Sequence, residues 1–194
     1  GNTTTIERDG NGQPQAIVAP FGQHTTLRLD ANGYLDRITN PAGEAVNFTY
    51  QPDGLMTSMT DARQQTYQFT YDPAGTGRLI RDDDPAGGFT QLSRTGVPAN
   101  YEVSKTTALG RTTQYQVERL GSGGTRRTVT APDGTQSVTE NGLDGVVSTT
   151  RAESTVTVTQ QGPDPRFGMP AAVPTTTTTT TPGGLTSTTT TQRA

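Results

Sequence analysis

Glycine recurs along the first half of this chain in steps of 10 and 11 residues, and this spacing constrains the fold more than any other feature. The series runs through Gly12, Gly22, Gly33, Gly43 and Gly54. The next position in the count holds Gln64, and Gly75 follows 11 residues later. Two steps make a period of about 21 residues, which suits two short strands and two turns. The spacing therefore predicts a tandem array of antiparallel β-hairpins.

The glycine series is reset once and then weakens. A two-residue insertion, Thr76-Gly77, restarts the count. The later anchors are Gly87, Gly110, Gly124, Gly134 and Gly145. We therefore expect regular hairpin repeats over 1–88, degenerate hairpin repeats over 89–152 and Thr-rich strands over 153–194.

Aromatic and polar residues alternate in the predicted return strands. Phe48 and Tyr50 recur one period later as Phe69 and Tyr71, and Tyr67 precedes Phe69 by two residues. Alternation with period two places these aromatic side chains on one face of a sheet and Thr and Gln on the other. Packing on that face is the interpretation we favour over stacking on sugar rings. The intervening Asn-Gly, Asp-Gly and Pro-Ala-Gly sequences are typical of turns.

The composition indicates an all-β chain with a small core. Threonine, which is β-branched and favours strands, accounts for about 40 of the 194 residues. Hydrophobic residues make up only 28%, so a single large core is not expected. Cysteine is absent, and the stability must come from strand pairing and not from disulfides. The net charge of −3 without a basic stripe argues against nucleic-acid binding, and no apolar stretch is long enough to span a bilayer.

Two threonine tracts, 175–181 and 188–191, allow two interpretations. Thr-rich sequence punctuated by proline is typical of a disordered, O-glycosylated stalk. We favour a continuing hairpin, with a strand, a turn at Pro182-Gly183-Gly184 and a second strand, because this punctuation is typical of a hairpin and the low net charge fits poorly with disorder. Residues 162–170 interrupt the period, and we expect an irregular loop there with Phe167 and Met169 as plugs.

The sequence contains little that resembles a catalytic or metal site. His24 is the only histidine, and it lies near the start of a predicted strand, where a solvent-facing side chain is the default. Asp82, Asp83 and Asp84 form the one acidic cluster, a weak candidate for Ca²⁺, which prefers oxygen ligands. Neighbouring strand residues point to opposite faces, so a solvated turn is the interpretation we favour. We predict no catalytic residue, no cofactor and no enzyme activity.

Several segments resemble the YD repeats of RHS proteins. Asn32-Gly33-Tyr34-Leu35 and, above all, the run from Tyr71-Asp72 to Gly77-Arg78-Leu79 are similar to the Tyr-Asp-x-x-Gly-Arg-Leu motif of these repeats. Such repeats build bacterial RHS proteins, the B/C cocoon of Tc toxin complexes, and teneurins. The resemblance implies a twisted, spiralling sheet or partial β-shell. The aspartate-dependent self-cleavage motif and the C-terminal toxin domain of the family have no counterpart here, so neither activity is expected.

The resemblance also implies a location and a set of functions. We expect an extracellular or cell-surface protein, and a chain that is part of something longer. The first hypothesis is a structural wall that encapsulates or displays a C-terminal toxin region. The alternatives are an adhesion module that binds carbohydrate or protein, and a filament subunit joined through open sheet edges. The expected partners are neighbouring repeats, other copies of the chain, an enclosed polypeptide or a surface carbohydrate.

Overall fold

The computed structural model describes residues 2–193, and in these residues it contains 17 β-strands and no helix. The all-β class of tandem antiparallel hairpins is therefore confirmed. The strands belong to two compact units, Gly1–Gln91 and Leu92–Ala194. The first unit ends just after the predicted end of the regular repeats, and the predicted section 153–194 lies within the second unit. In the described part of the chain, no helix has the length and apolar character needed to cross a membrane.

The first unit is a meander of short strands. Its complete strands are β1 (Thr5–Arg8), β2 (Pro14–Val18), β3 (His24–Leu29), β4 (Leu35–Thr39), β5 (Ala45–Tyr50), β6 (Met56–Thr60), β7 (Thr66–Tyr71) and β8 (Leu79–Asp83). Strand β9 (Phe89–Val97) begins in this unit and ends in the second. Each strand pairs antiparallel with the next one along the chain.

The second unit continues the same connectivity. Its further strands are β10 (Asn100–Thr107), β11 (Thr112–Arg119), β12 (Thr125–Thr130), β13 (Gln136–Asn141), β14 (Val146–Thr150), β15 (Val156–Asp164), β16 (Gly168–Thr180) and β17 (Thr186–Thr190). Here too each strand pairs with its neighbour in the chain. Both threonine tracts lie in paired strands except for their last residues, with Thr177 opposite Thr189 for example.

The strand register gathers the apolar side chains of the first unit on one face. Phe48 lies opposite Met59, and Met59 lies opposite Tyr67. The ladder shifts by one residue between Thr49 and Tyr50, so the strand that follows the turn carries one extra residue. Equivalent shifts occur in the β3–β4 and β7–β8 pairs. These β-bulges recur with the sequence period, and they keep the apolar face continuous across each turn.

One hydrogen-bond pattern recurs in the turns. At Asp30 the backbone N–H donates to the carbonyl of Tyr34 (2.8 Å), and the carbonyl accepts from the N–H of Gly33 (3.0 Å). This geometry needs a residue with positive φ at the fourth position, and Gly33 has a φ of 86°. Gln64 occupies the same position in its own turn and has a φ of 64°. A side chain with a Cβ therefore adopts there the left-handed conformation that glycine adopts most easily.

Few side chains are buried. Among the described residues Ala16 is the one buried hydrophobic residue, and no side chain is fully buried. The remaining apolar residues of the sheet faces are mostly half-exposed. The backbone ladders and the cross-strand contacts on each face therefore supply most of the cohesion of each unit.

Residues 162–170, where we expect an irregular loop, lie mostly within strands β15 and β16. Strands β15 and β16 form a long hairpin, and only residues 165–167 lie between them. Proline has no N–H to donate to a ladder, and register shifts near Gln160 and at Pro163 accommodate the departures from pairing. Phe167 is 65% exposed and Met169 is 52% exposed. Neither side chain therefore acts as a plug in the described part of the chain.

Candidate functional site

Two tyrosines one period apart make the same hydrogen bond. The hydroxyl of Tyr50 donates to the carbonyl of Leu35 (2.7 Å), and the hydroxyl of Tyr71 donates to the carbonyl of Met56 (2.8 Å). Each acceptor lies directly before the extra residue of a β-bulge, where the regular ladder is interrupted. Each tyrosine therefore ties its own hairpin to the bulge of the preceding hairpin, and the bond is a repeated structural element of the sheet.

Tyr34 adds an aromatic contact at the same level of the first unit. Its ring lies 5.3 Å from the ring of Tyr50, at an interplanar angle of 36°. It also lies over Gly54, where a Cβ would be only 2.9 Å from the ring. Gly54 is thus required for two reasons, its φ of 89° and the close approach of Tyr34. Burial raises the pKa of Tyr50, and the carboxylates of Asp30 and Asp36 add to this effect.

The aspartate of the Tyr-Asp pair organises its turn. The Oδ1 atom of Asp72 accepts the backbone N–H of Ala74 (2.9 Å), and its Oδ2 atom accepts the hydroxyl of Thr76 (2.8 Å). These hydrogen bonds lower the pKa of Asp72, the bond from Ala74 most strongly. The same use of a side-chain oxygen recurs at Asp9, Asp30, Asn40, Asp61 and Asp84. These Asp and Asn side chains therefore stabilise the chain reversals.

In the first unit, one arginine–aspartate ion pair joins two strands and another lies within a single strand. Arg28 and Asp36 form a two-pronged pair across β3 and β4, with both N–O distances at 2.8 Å. This pairing lowers the pKa of Asp36 and raises the pKa of Arg28. Arg81 pairs with Asp83 at 2.7 Å, and its guanidinium lies 4.0 Å from the centre of the Phe89 ring.

The three adjacent aspartates do not converge on one point. Asp83 is held by Arg81, and the Oδ1 atom of Asp84 accepts backbone N–H groups of its own turn. Asp82 lies opposite Phe69 and Thr90, on the face that carries the aromatic side chains. Residues 2–193 contain no group of three His, Cys, Asp or Glu side chains arranged to hold a metal ion. The three carboxylates therefore do not share one site.

His24 lies at the start of β3, where its Nδ1 atom is 3.8 Å from Oε2 of Glu7. Both side chains are about half exposed. A surface pair of this kind contributes little to stability. The contact places His24 beside a carboxylate and gives it no nucleophile to activate.

The sequence interpretation missed the specific contacts of the tyrosines. It placed Tyr50 and Tyr71 on the apolar face but did not predict that their hydroxyls would cap bulges. Tyr50 follows Leu35 by 15 residues, and Tyr71 follows Met56 by 15 residues. This equal spacing is the signal that could have revealed the two hydrogen bonds. The pairing of Tyr34 with Gly54 has no such repeated signal, because it depends on how neighbouring turns are brought together.

Repeated hairpins, joined by capped bulges and Asx-stabilised turns, define a repeat protein that builds a sheet wall. The Teneurin YD-shell family model matches residues 1–194, and the chain belongs to this family. The predicted RHS/YD-repeat membership is thereby confirmed. Among solved structures, the chain is similar to a chain of the Photorhabdus luminescens Tc holotoxin pore, with 14% identity and a TM-score of 0.46. The similarity covers 90% of this chain and 10% of that chain. No curated protein matches.

Proposed function

We propose that this chain is a section of the wall of a large extracellular or surface shell, which encloses or displays another region of polypeptide. The observation that carries the proposal is the regular recurrence of hairpin, bulge and tyrosine bond across the first unit. A repeated unit that contacts only its neighbours can extend a sheet for any number of strands. The role is structural, and we infer no catalytic activity.

The scarcity of buried side chains supports a wall. A domain that acts alone gains most of its stability from a core, whereas here only Ala16 is a buried hydrophobic residue among those described. Half-exposed apolar side chains along a sheet face are suited to contact with neighbouring repeats or with an enclosed chain. The partners that we propose are therefore further repeats of the same protein and the polypeptide that the wall surrounds.

The test uses the polypeptide that carries this segment, with a protease site engineered into the region that follows the repeats. We expect the site to resist cleavage while the wall is intact. Deletion of 40–60, one whole period, joins equivalent turn positions and should leave the site protected. Deletion of 40–50 removes one strand and one turn, reverses the direction of every later strand and should expose the site. Rapid cleavage in the undeleted protein would contradict enclosure.

The edge strand β17 favours a second candidate function, assembly between copies. All five residues of Thr186–Thr190 are exposed, and none of them carries a charge or is a proline. Such an edge offers unpaired backbone groups to another strand. Light scattering over a range of concentrations would show growth of the particles, and Thr188→Pro should prevent it by removing one N–H. A mass that stays constant with concentration would exclude this candidate.

A further inference from the structure

Charged side chains in the second unit are sorted by sheet face. On one face Glu118 lies opposite Arg126, and Arg126 lies opposite Glu140. Arg127, the next residue along β12, points to the other face, where it lies opposite Val117. The two faces of β12 therefore present neighbouring arginines to very different surroundings.

The second of these faces, which we call the cationic face, carries basic and aromatic side chains. Its members are Arg94, Tyr101, Lys105, Tyr115, Arg119 and Arg127. The registers place Tyr101 opposite Val117, and Tyr115 opposite Val103 and Val129, so the aromatic rings stand among valines. Arg94 lies over the Tyr101 ring, with its guanidinium carbon 4.2 Å from the ring centre.

The cations of this face are not neutralised within the described residues. Arg126 on the opposite face pairs with Glu140 at 2.7 Å and with Glu118 at 3.8 Å. The ion pairs of residues 2–193 include none for Arg94, Lys105, Arg119 or Arg127. Lys105, Arg119 and Arg127 are exposed, and Tyr115 is 40% exposed. The whole chain has a net charge of −3, so this local excess of positive charge arises because the fold gathers basic side chains on one sheet face.

The cationic face has a defined extent. Strands stand about 4.8 Å apart, so Tyr101 and Arg127, separated by one strand, lie roughly 10 Å apart. Further along the same row come Thr139, Thr149 and Thr157, which carry no charge. The positive charge is therefore concentrated on strands β9 to β12.

We propose that the cationic face binds an extended acidic polypeptide in which carboxylates alternate with apolar side chains. Arginine pairs well with carboxylates, and the valines and tyrosines between the cations offer contact area to apolar side chains. A nucleic acid would leave the valines without partners and would need a larger set of phosphate contacts. The inference rests on the proposed function, because the enclosed chain is the source of this polypeptide.

The test compares two arginines that are adjacent in sequence and lie on opposite faces. The probe is a short labelled peptide of alternating glutamate and valine, titrated against the full chain and followed by fluorescence anisotropy. The double variant Arg119→Gln, Arg127→Gln should weaken binding at least about fivefold, and added salt should weaken binding to the unmodified chain. Arg126→Gln removes one charge from the other face and should change the affinity less than about twofold. Circular dichroism and a melting curve establish that each variant is folded.

Three results would overturn the proposal. One is failure of the unmodified chain to bind the peptide, and another is an equal loss of affinity in Arg126→Gln and in the double variant Arg119→Gln, Arg127→Gln. The third is arginine-dependent binding of polygalacturonate or oligothymidine without binding of the peptide. The protease-protection experiment is read separately. Cleavage of the protease site together with peptide binding would refute enclosure and support the cationic face as a binding surface. Protection of the site without peptide binding would refute only the binding role of the cationic face.

Discussion

Replacing Tyr71 with phenylalanine removes one hydroxyl and leaves the aromatic ring on the sheet face. The lost contact is the 2.8 Å bond to the carbonyl of Met56. A single hydrogen bond contributes about 1 kcal/mol net to stability, so Tyr71→Phe should lower the free energy of unfolding by about that amount. Tyr50→Phe should cost the same for the same reason. The two residues lie two strands apart, roughly 10 Å, so their effects should add.

Urea denaturation followed by circular dichroism measures these changes. The midpoint should fall while the slope with denaturant stays constant, because the exposed area changes little. Tyr67 supplies the matched control, since it lies on β7 with Tyr71 and points to the same face. Among the described residues its hydroxyl has no hydrogen-bond partner comparable to Met56, so Tyr67→Phe should cost less than about 0.5 kcal/mol. Equal effects at Tyr67 and Tyr71 would refute the bulge-capping role.

Further predictions concern the turns. Gln64→Gly should raise stability by roughly 0.5–1 kcal/mol in thermal unfolding, because the left-handed conformation strains a residue with a Cβ; an unchanged or lower melting temperature would contradict this. Gly54→Ala should destabilise more than Gly43→Ala, since both have positive φ but only Gly54 is covered by the Tyr34 ring, and equal melting temperatures would disprove the difference. The pKa of Asp72 is lower in the folded chain than in the unfolded chain. Ionised Asp72 therefore stabilises the fold at pH values above its unfolded pKa of about 3.9, and this stabilisation is lost as the pH falls through the lower folded pKa. Denaturation midpoints at a series of pH values should therefore fall less in Asp72→Asn than in the unmodified chain, and parallel curves would contradict that role.

Much of the fold follows from local sequence. The glycine spacing predicts where the chain reverses, because the turn geometry needs a residue that tolerates positive φ, and it identifies Gln64 as the residue that replaces glycine at one such position. Alternation with period two predicts which side of the sheet Phe48 and Phe69 occupy. These properties depend on residues close together in the chain, so the local sequence determines them whichever strand it pairs with.

Contacts between strands were decided only in the tertiary structure. The bulges fix which carbonyl each tyrosine hydroxyl meets, and the register places Arg126 beside two glutamates while Arg127 faces the valines. The pairing of residues 162–170 within the hairpin over 156–180 could not be read from the sequence, because its prolines conceal a pairing that depends on bulges. A shift of one residue in register would exchange the two faces of a strand. The sequence by itself therefore determined the repeat, the turns and the alternation, whereas pairing across strands decided which side chains meet.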